Sequence, residues 1–168
     1  MPVLKPERNL VRCTAIDPVA DILGAGFTHV LLDVDNTILP RDGSGVPDDV
    51  RAWVESLREN GIPVCLISNN WYPPVTDCAR DLGLPVVMGC VKPLPFGFVT
   101  ARRRIDAPRK RTLVIGDQLV TDVWGAHLAG LKVYLVSPLA EQDLWHTRAL
   151  RHIERGILRN EHREGEEV

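Results

Sequence analysis

Val30-Leu31-Leu32-Asp33-Val34-Asp35-Asn36-Thr37 is an apolar run that ends abruptly in two carboxylates, and its reading decides the fold. Val30 to Leu32 have the continuous hydrophobicity of a strand buried on both faces, as in parallel α/β sheets. Asp33 and Asp35 then fall where such a strand leaves the sheet, the edge at which open α/β sheets bind ligands. Residues i and i+2 of an extended segment point the same way, so both carboxylates can face one crevice. Two like charges a few ångströms apart raise each other's pKa unless a cation or a shared proton intervenes. The pair points to a divalent metal, to acid–base chemistry or to both; an acidic strand-end loop without a ligand is the plain alternative.

On either side of this strand the chain alternates strand and helix. Residues 1–16 show no periodicity and read as an extended arm. Asp17-Pro18 supply a cap and a first helical position for a short helix ending near Gly24 or Gly26. After the first core strand (28–34) comes a loop, 39–46. A helix follows from Pro47, with Val50, Trp53, Val54 and Leu57 at helical spacing, and stops at Gly61. A second strand (63–67) leads into Ser68-Asn69-Asn70, and a helix over 74–82 stops at Gly83. Next come a short strand (84–88), a helix (95–105), a strand (112–115), a helix to Gly130, a strand (132–136) and a last helix over 141–159. The pattern is that of a single α/β domain over 1–160: a doubly wound, Rossmann-like parallel sheet of about five strands with helices on both faces. Residues 161–168 read as a disordered acidic tail.

Composition narrows the function. The chain has 168 residues, 45% hydrophobic and 25% charged, with a net charge of −2. That is a globular balance, and it argues against a dedicated nucleic-acid binder. Cys13, Cys65, Cys78 and Cys90 lack CxxC spacing and read as reduced thiols; with no membrane-length apolar run and no signal-peptide core, a cytoplasmic location is expected. Peripheral membrane contact stays open.

The polar residues at successive strand ends form a set. Strand one ends in Asp33 and Asp35, strand two in Ser68, and strand four in Asp117, with Asp122 five residues on; Lys92 lies in the loop before the helix that feeds strand four. Parallel strands share one C-terminal edge, so these residues can converge. Carboxylates suit a hard cation such as Mg²⁺; a hydroxyl and an ammonium suit phosphoryl oxygens. Singly, Ser68 reads as a turn residue, Lys92 as surface and Asp122 as a helix cap, so the signal lies in their joint order.

The set Asp33-Val34-Asp35-Asn36-Thr37, Ser68-Asn69-Asn70, Lys92-Pro93 and Gly116-Asp117-Gln118-Leu119-Val120-Thr121-Asp122 resembles the four motifs of the haloacid dehalogenase (HAD) superfamily of phosphatases. Within it, the run from Gly116 through Val123, Gly130 and the 148–158 segment resembles the subfamily IIIA, YqeG-type group, related to phosphatidylglycerophosphate phosphatases. Two positions depart from that pattern: Trp71 to Pro74 stand where a charged helix start is expected, and His127 where an Asn is common.

The resemblance implies two-step phosphoryl transfer, with Asp33 as nucleophile and Asp35 as proton donor and acceptor. It implies Mg²⁺ held by Asp33, the backbone carbonyl of Asp35, and Asp117. Ser68, Asn69 and Lys92 bind the phosphoryl group on this reading, and Asn36, Thr37, Gly116 and Asp122 support it. The motif intervals leave no room for the cap domain common in the superfamily. A site so open suits a large or accessible phosphorylated substrate such as a lipid headgroup, or a small metabolite (a sugar or nucleotide phosphate) covered by a neighbouring subunit in an oligomer. A phospho-receiver-like signalling module is the competing class, but receivers carry their Lys after the last strand. A calcium loop beginning at Asp33 fails because Ile38 stands where glycine is required. Arg102, Arg103, Arg104, Arg109, Lys110 and Arg111 form a basic cluster, and Arg148, Arg151, Arg155 and Arg159 line the last helix; each reads as a solvated face or as a lipid contact.

Overall fold

The computed structural model describes residues 4–139 of the chain. Strands β1 (Arg8–Leu10), β2 (His29–Asp33), β3 (Val64–Ile67), β4 (Val86–Val87), β5 (Thr112–Gly116) and β6 (Lys132–Val136) form one sheet in the order β1-β6-β5-β2-β3-β4. Every pairing is parallel. Helices α1 (Asp48–Glu59), α2 (Pro73–Leu82) and α3 (Phe96–Arg104) connect the strands. A π-helical turn, Leu119–Trp124, runs directly into α4 (Gly125–Leu128).

Alternate residues of β2 serve two cores. Val30 and Leu32 pack in the layer that holds Val50, Trp53, Val54 and Leu57 of α1 and Val75, Cys78 and Leu82 of α2. Leu31 packs in the opposite layer with Phe98 and Ala101 of α3 and with Val123 and Ala126. Burial on both faces is why this strand has no polar alternation, and it makes the architecture doubly wound. Loop and α1 alone separate β2 from β3, and α2 with β4 separates β3 from the Lys92 loop, so no cap domain is inserted there.

The N-terminal arm differs from expectation. Arg8–Leu10 pairs in parallel with Tyr134–Val136 and adds a sixth strand. Three residues are too few to show periodicity, and long-range partners create the strand. Glu7 N–H donates to Val133 O (2.9 Å), Val133 N–H donates to Glu7 Oε2 (2.6 Å), and Arg8 pairs with Asp21. The helix expected after Asp17 is present as a π-helical turn, Pro18–Leu23, with Asp17 accepting from Val19 N–H and Ala20 N–H.

All four cysteines are free and buried, and burial pushes the Cys65 and Cys78 thiols up to about 12. No helix among the described residues is long and apolar enough to cross a membrane. The expected last helix (141–159), its arginine face and the acidic tail (161–168) lie outside the described residues.

Candidate active site

Register brings the motif residues together. Asp33 is opposite Ile67 of β3, and Leu32 is opposite Ile115 of β5. The ends of the three central strands are therefore level, so Asp33, Ser68 and Asp117 emerge side by side. Past β2 the chain folds tightly: Asn36 N–H donates to Leu39 O (2.9 Å) and Ile38 N–H to Val34 O (3.1 Å), with Asn36 at φ 63°. Asn tolerates that left-handed conformation better than most residues.

Three carboxylates and one ammonium form the centre. Lys92 Nζ donates to Asp33 Oδ1 (2.5 Å) and to Asp122 Oδ1 (2.6 Å), while Thr37 Oγ1 donates to Asp33 Oδ2 (2.9 Å). Asp122 Oδ2 accepts from Gln118 N–H (3.1 Å). Gly116 permits this approach: a Cβ there would lie 2.4 Å from the Asp122 carboxyl carbon. Asp33, Asp117 and Asp122 each offer an oxygen, all within 4.8 Å of one another. Asp117 Oδ1 is buried and has no hydrogen-bond partner. A buried acceptor without a donor, beside two further carboxylates, is a costly arrangement that a hard cation relieves. The donor set fits a divalent metal on these grounds, with Asp117 the acid that has an oxygen free of any partner, while Asp33 and Asp122 share the Lys92 ammonium.

Charge states follow from the crowding. Burial, then the Asp122 charge, pushes the Asp33 carboxyl up to about 7, against the pull of Lys92. Burial, then Asp33 and Asp122, raises Asp117 well above the usual carboxylate range. For Lys92 burial opposes the charge, but Asp122 and Asp33 outweigh it and hold the ammonium charged.

Asp35 faces the other way. Its Oδ2 accepts from Ser68 Oγ (2.8 Å) and Asn70 Nδ2 (2.9 Å), and its Oδ1 from the Tyr72 hydroxyl (2.7 Å). Its carboxylate is thus outside the three-acid cluster. Ser68 is engaged with Asp35, whereas Asn69 supports the lysine: its Oδ1 accepts from Lys92 N–H (2.7 Å) and its amide reaches Lys92 O (3.3 Å). His127 lies away from this centre, with Nε2 3.8 Å from Glu7 Oε2, just before β1. Asn70 and Tyr72 are the residues that motif reading left without a role. The available signal was Pro73-Pro74, which compels an extended Tyr72 immediately after the motif.

Comparison with known proteins agrees with this geometry. The haloacid dehalogenase-like hydrolase family matches residues 14–130. The chain belongs to that family. It is 36% identical over 129 residues, 77% of this chain and 75% of the other, to the Bacillus subtilis (strain 168) protein named "Probable phosphatase YqeG". It is also 26% identical over 104 residues, 56% of this chain and 44% of the other, to ribulose-1,5-bisphosphate 5-phosphatase of Halopiger xanaduensis. A solved structure from Xanthomonas campestris, hypothetical protein XCC2798, shares the fold with a TM-score of 0.56 at 24% identity, over 75% of this chain and 76% of that one. In this member of the haloacid dehalogenase-like hydrolase family, Lys92 bridges Asp33 at the end of β2 and Asp122 beyond β5.

Proposed function

We propose that this hydrolase is a Mg²⁺-dependent phosphomonoesterase that works through an aspartyl-phosphate on Asp33. The observation that carries the reading is the Asp33–Lys92–Asp122 bridge beside the partnerless Asp117 oxygen. Asp33 and Asp117 hold the cation, whose chemistry is to neutralise the charge of the transferring phosphoryl group. Lys92 orients the Asp33 carboxylate and places a positive charge at the point where phosphoryl oxygens arrive.

Asp33 attacks phosphorus, the ester P–O bond breaks, and the departing oxygen takes a proton from Asp35. Water then attacks the same phosphorus, gives its proton to Asp35 and releases phosphate from Asp33. Asp35 is 33 positions from Ser68 in sequence but bonded to it in space, so the motif-two segment orients the acid.

The open site supports a large or accessible phosphoester, phosphatidylglycerophosphate among them, with peripheral membrane contact. The likeness to the Halopiger phosphatase favours a second reading: a small phosphorylated metabolite, with cover from a neighbouring subunit. Four buried free thiols support a cytoplasmic setting. The test is a screen of phosphatidylglycerophosphate, sugar phosphates, nucleotides and phosphopeptides with and without Mg²⁺. Asp33→Asn is expected to abolish turnover while the protein stays folded. Comparable hydrolysis by that variant overturns the mechanism, and phosphate uptake without multiple turnover moves the protein to the receiver class.

A further inference from the structure

Asp35 is gripped from one side. Ser68, Asn70 and Tyr72, all on the short segment between β3 and α2, donate to its two oxygens. Ser68 and Asn70 belong to the motif; Tyr72 lies just beyond it, and its position has local causes. Pro73 and Pro74 occupy the first positions of α2, and the residue before a proline is driven into extended backbone; Tyr72 is at φ −100°, ψ 156°. Its neighbour Trp71 lies over Gly89, where a Cβ would come within 2.0 Å of the indole. Trp71 therefore secures the segment outward against the loop leading to Lys92 while Tyr72 turns inward to Asp35. Burial, then the adjacent Asp35, raises the Tyr72 phenol above its ordinary value, so it remains a donor.

We propose that Tyr72 is a positioning residue for Asp35, one that matters for esters whose leaving oxygen must be protonated. This deepens the phosphatase reading and rests on it. When a phosphoryl group enters, Ser68 is the hydroxyl that can turn to it, and Asp35 Oδ2 then loses one of its two donors. Oδ1 stays tied to Tyr72. The carboxyl is thereby left with one fixed oxygen and one oxygen, Oδ2, that exchanges a proton. As the ester P–O bond breaks, its electron pair goes to the ester oxygen, and that oxygen takes the proton from Asp35 Oδ2. Small misplacements of such a group are expensive, about 100-fold per ångström. Without the phenol, Asp35 keeps only Asn70 at that stage.

The test compares wild type and Tyr72→Phe on two monoesters with Mg²⁺ present. One is p-nitrophenyl phosphate, whose leaving group departs without a proton. The other is the best-hydrolysed alkyl monoester of the screen above. For the alkyl ester kcat is expected to fall about tenfold or more, a fraction of what a general acid contributes, with KM within about twofold. For the aryl ester the rate of the first-turnover nitrophenolate burst, which precedes the Asp35-dependent attack of water, is expected to stay within about twofold, which also shows that the variant folds. In an Asp35→Asn background, adding Tyr72→Phe is expected to change alkyl turnover no further, because the two residues act as a unit. A loss in the aryl burst equal to the alkyl loss, no loss in either, or losses that multiply in the double variant overturn the proposal. Failure of the underlying reading looks different: wild type then hydrolyses neither ester, and the proposal falls with it.

Discussion

The Lys92 ammonium stands 2.6 Å from the Asp122 carboxylate, with the two side chains only 3% and 1% exposed, and the same ammonium reaches Asp33. Removing one partner of a buried ion pair leaves an uncompensated charge, at a cost of about 3–5 kcal/mol. Lys92→Met takes away the cation and keeps the volume, so Asp33 and Asp122 face each other with nothing between them. Urea unfolding of the metal-free protein is expected to show a loss in that range, and Mg²⁺ is expected to recover part of it. Activity is expected to fall by about 100-fold or more, the scale of one lost electrostatic stabiliser. Wild-type stability in Lys92→Met without metal contradicts this account.

Stability of the metal-free protein has a defined pH slope. The Asp33 carboxyl moves from an ordinary 3.8 to about 7 through burial and Asp122, and Asp117 moves in the same direction. Between those values the folded chain keeps protons that the unfolded chain has released, so stability falls as pH rises through the window. Lys92, its pKa raised, stays charged throughout. Glu7 and Asp21 are lowered and act only at more acidic pH, while His29, lowered by burial, opposes the slope as the unfolded imidazole gives up its proton. The Tm in chelator is therefore expected to be lower at pH 8 than at pH 5, and Mg²⁺ to recover most of the difference at pH 8. Asp33→Asn, inactive, is expected to show a shallower slope. A Tm that rises from pH 5 to pH 8 in chelator refutes the raised carboxyls.

Gly116 holds its place through contact with Asp122. A Cβ at this position would lie 2.4 Å from the Asp122 carboxyl carbon and 2.5 Å from Oδ2. Gly116→Ala is expected to push Asp122 off Lys92 at a cost of about 1–3 kcal/mol, the usual range for overpacking. Its kcat loss is expected to track that of Asp122→Asn, measured on the same ester. A Gly116→Ala enzyme with wild-type kcat shows that Asp122 does not hold the lysine during turnover.

What the chain disclosed in advance depended on how local the signal was. β2 was legible because both of its faces are buried, so three successive residues, Val30 to Leu32, are apolar. The convergence of Asp33, Ser68 and Asp117 followed from strand ends alone, since a parallel sheet fixes a common edge. β1 was not legible, because it exists through Glu7 and the β6 backbone rather than through its own three residues. The Tyr72–Asp35 bond was hidden as well: it joins residues 37 apart and depends on the β2–β3 register. The bond of the Asn69 amide to the Lys92 backbone was hidden too, because only the loop path defines that partner. His127 has the same character, its Glu7 neighbour being brought in by the arm.

The basic cluster lies at the wrong end of the sheet to serve the site. Arg109–Arg111 precedes β5, and the site lies beyond its other end, five residues away. At about 3.3 Å per residue that is roughly 17 Å. Two of its arginines have structural work: Arg102 donates to Ala107 O (2.7 Å) and Arg104 to Val86 O (2.6 Å). Arg103, Lys110 and Arg111 are exposed. Basic residues at an anionic membrane surface each contribute about 1 kcal/mol of binding. A protein held there by this cluster would turn its site away from the headgroups. Charge reversal at Arg103, Lys110 and Arg111 together is therefore expected to leave hydrolysis within about twofold, for a soluble monoester and for one carried in anionic vesicles alike, because such screened charges act over about a Debye length. Loss of vesicle-borne turnover alone would mean that the cluster orients the enzyme on lipid despite its distance from Asp33.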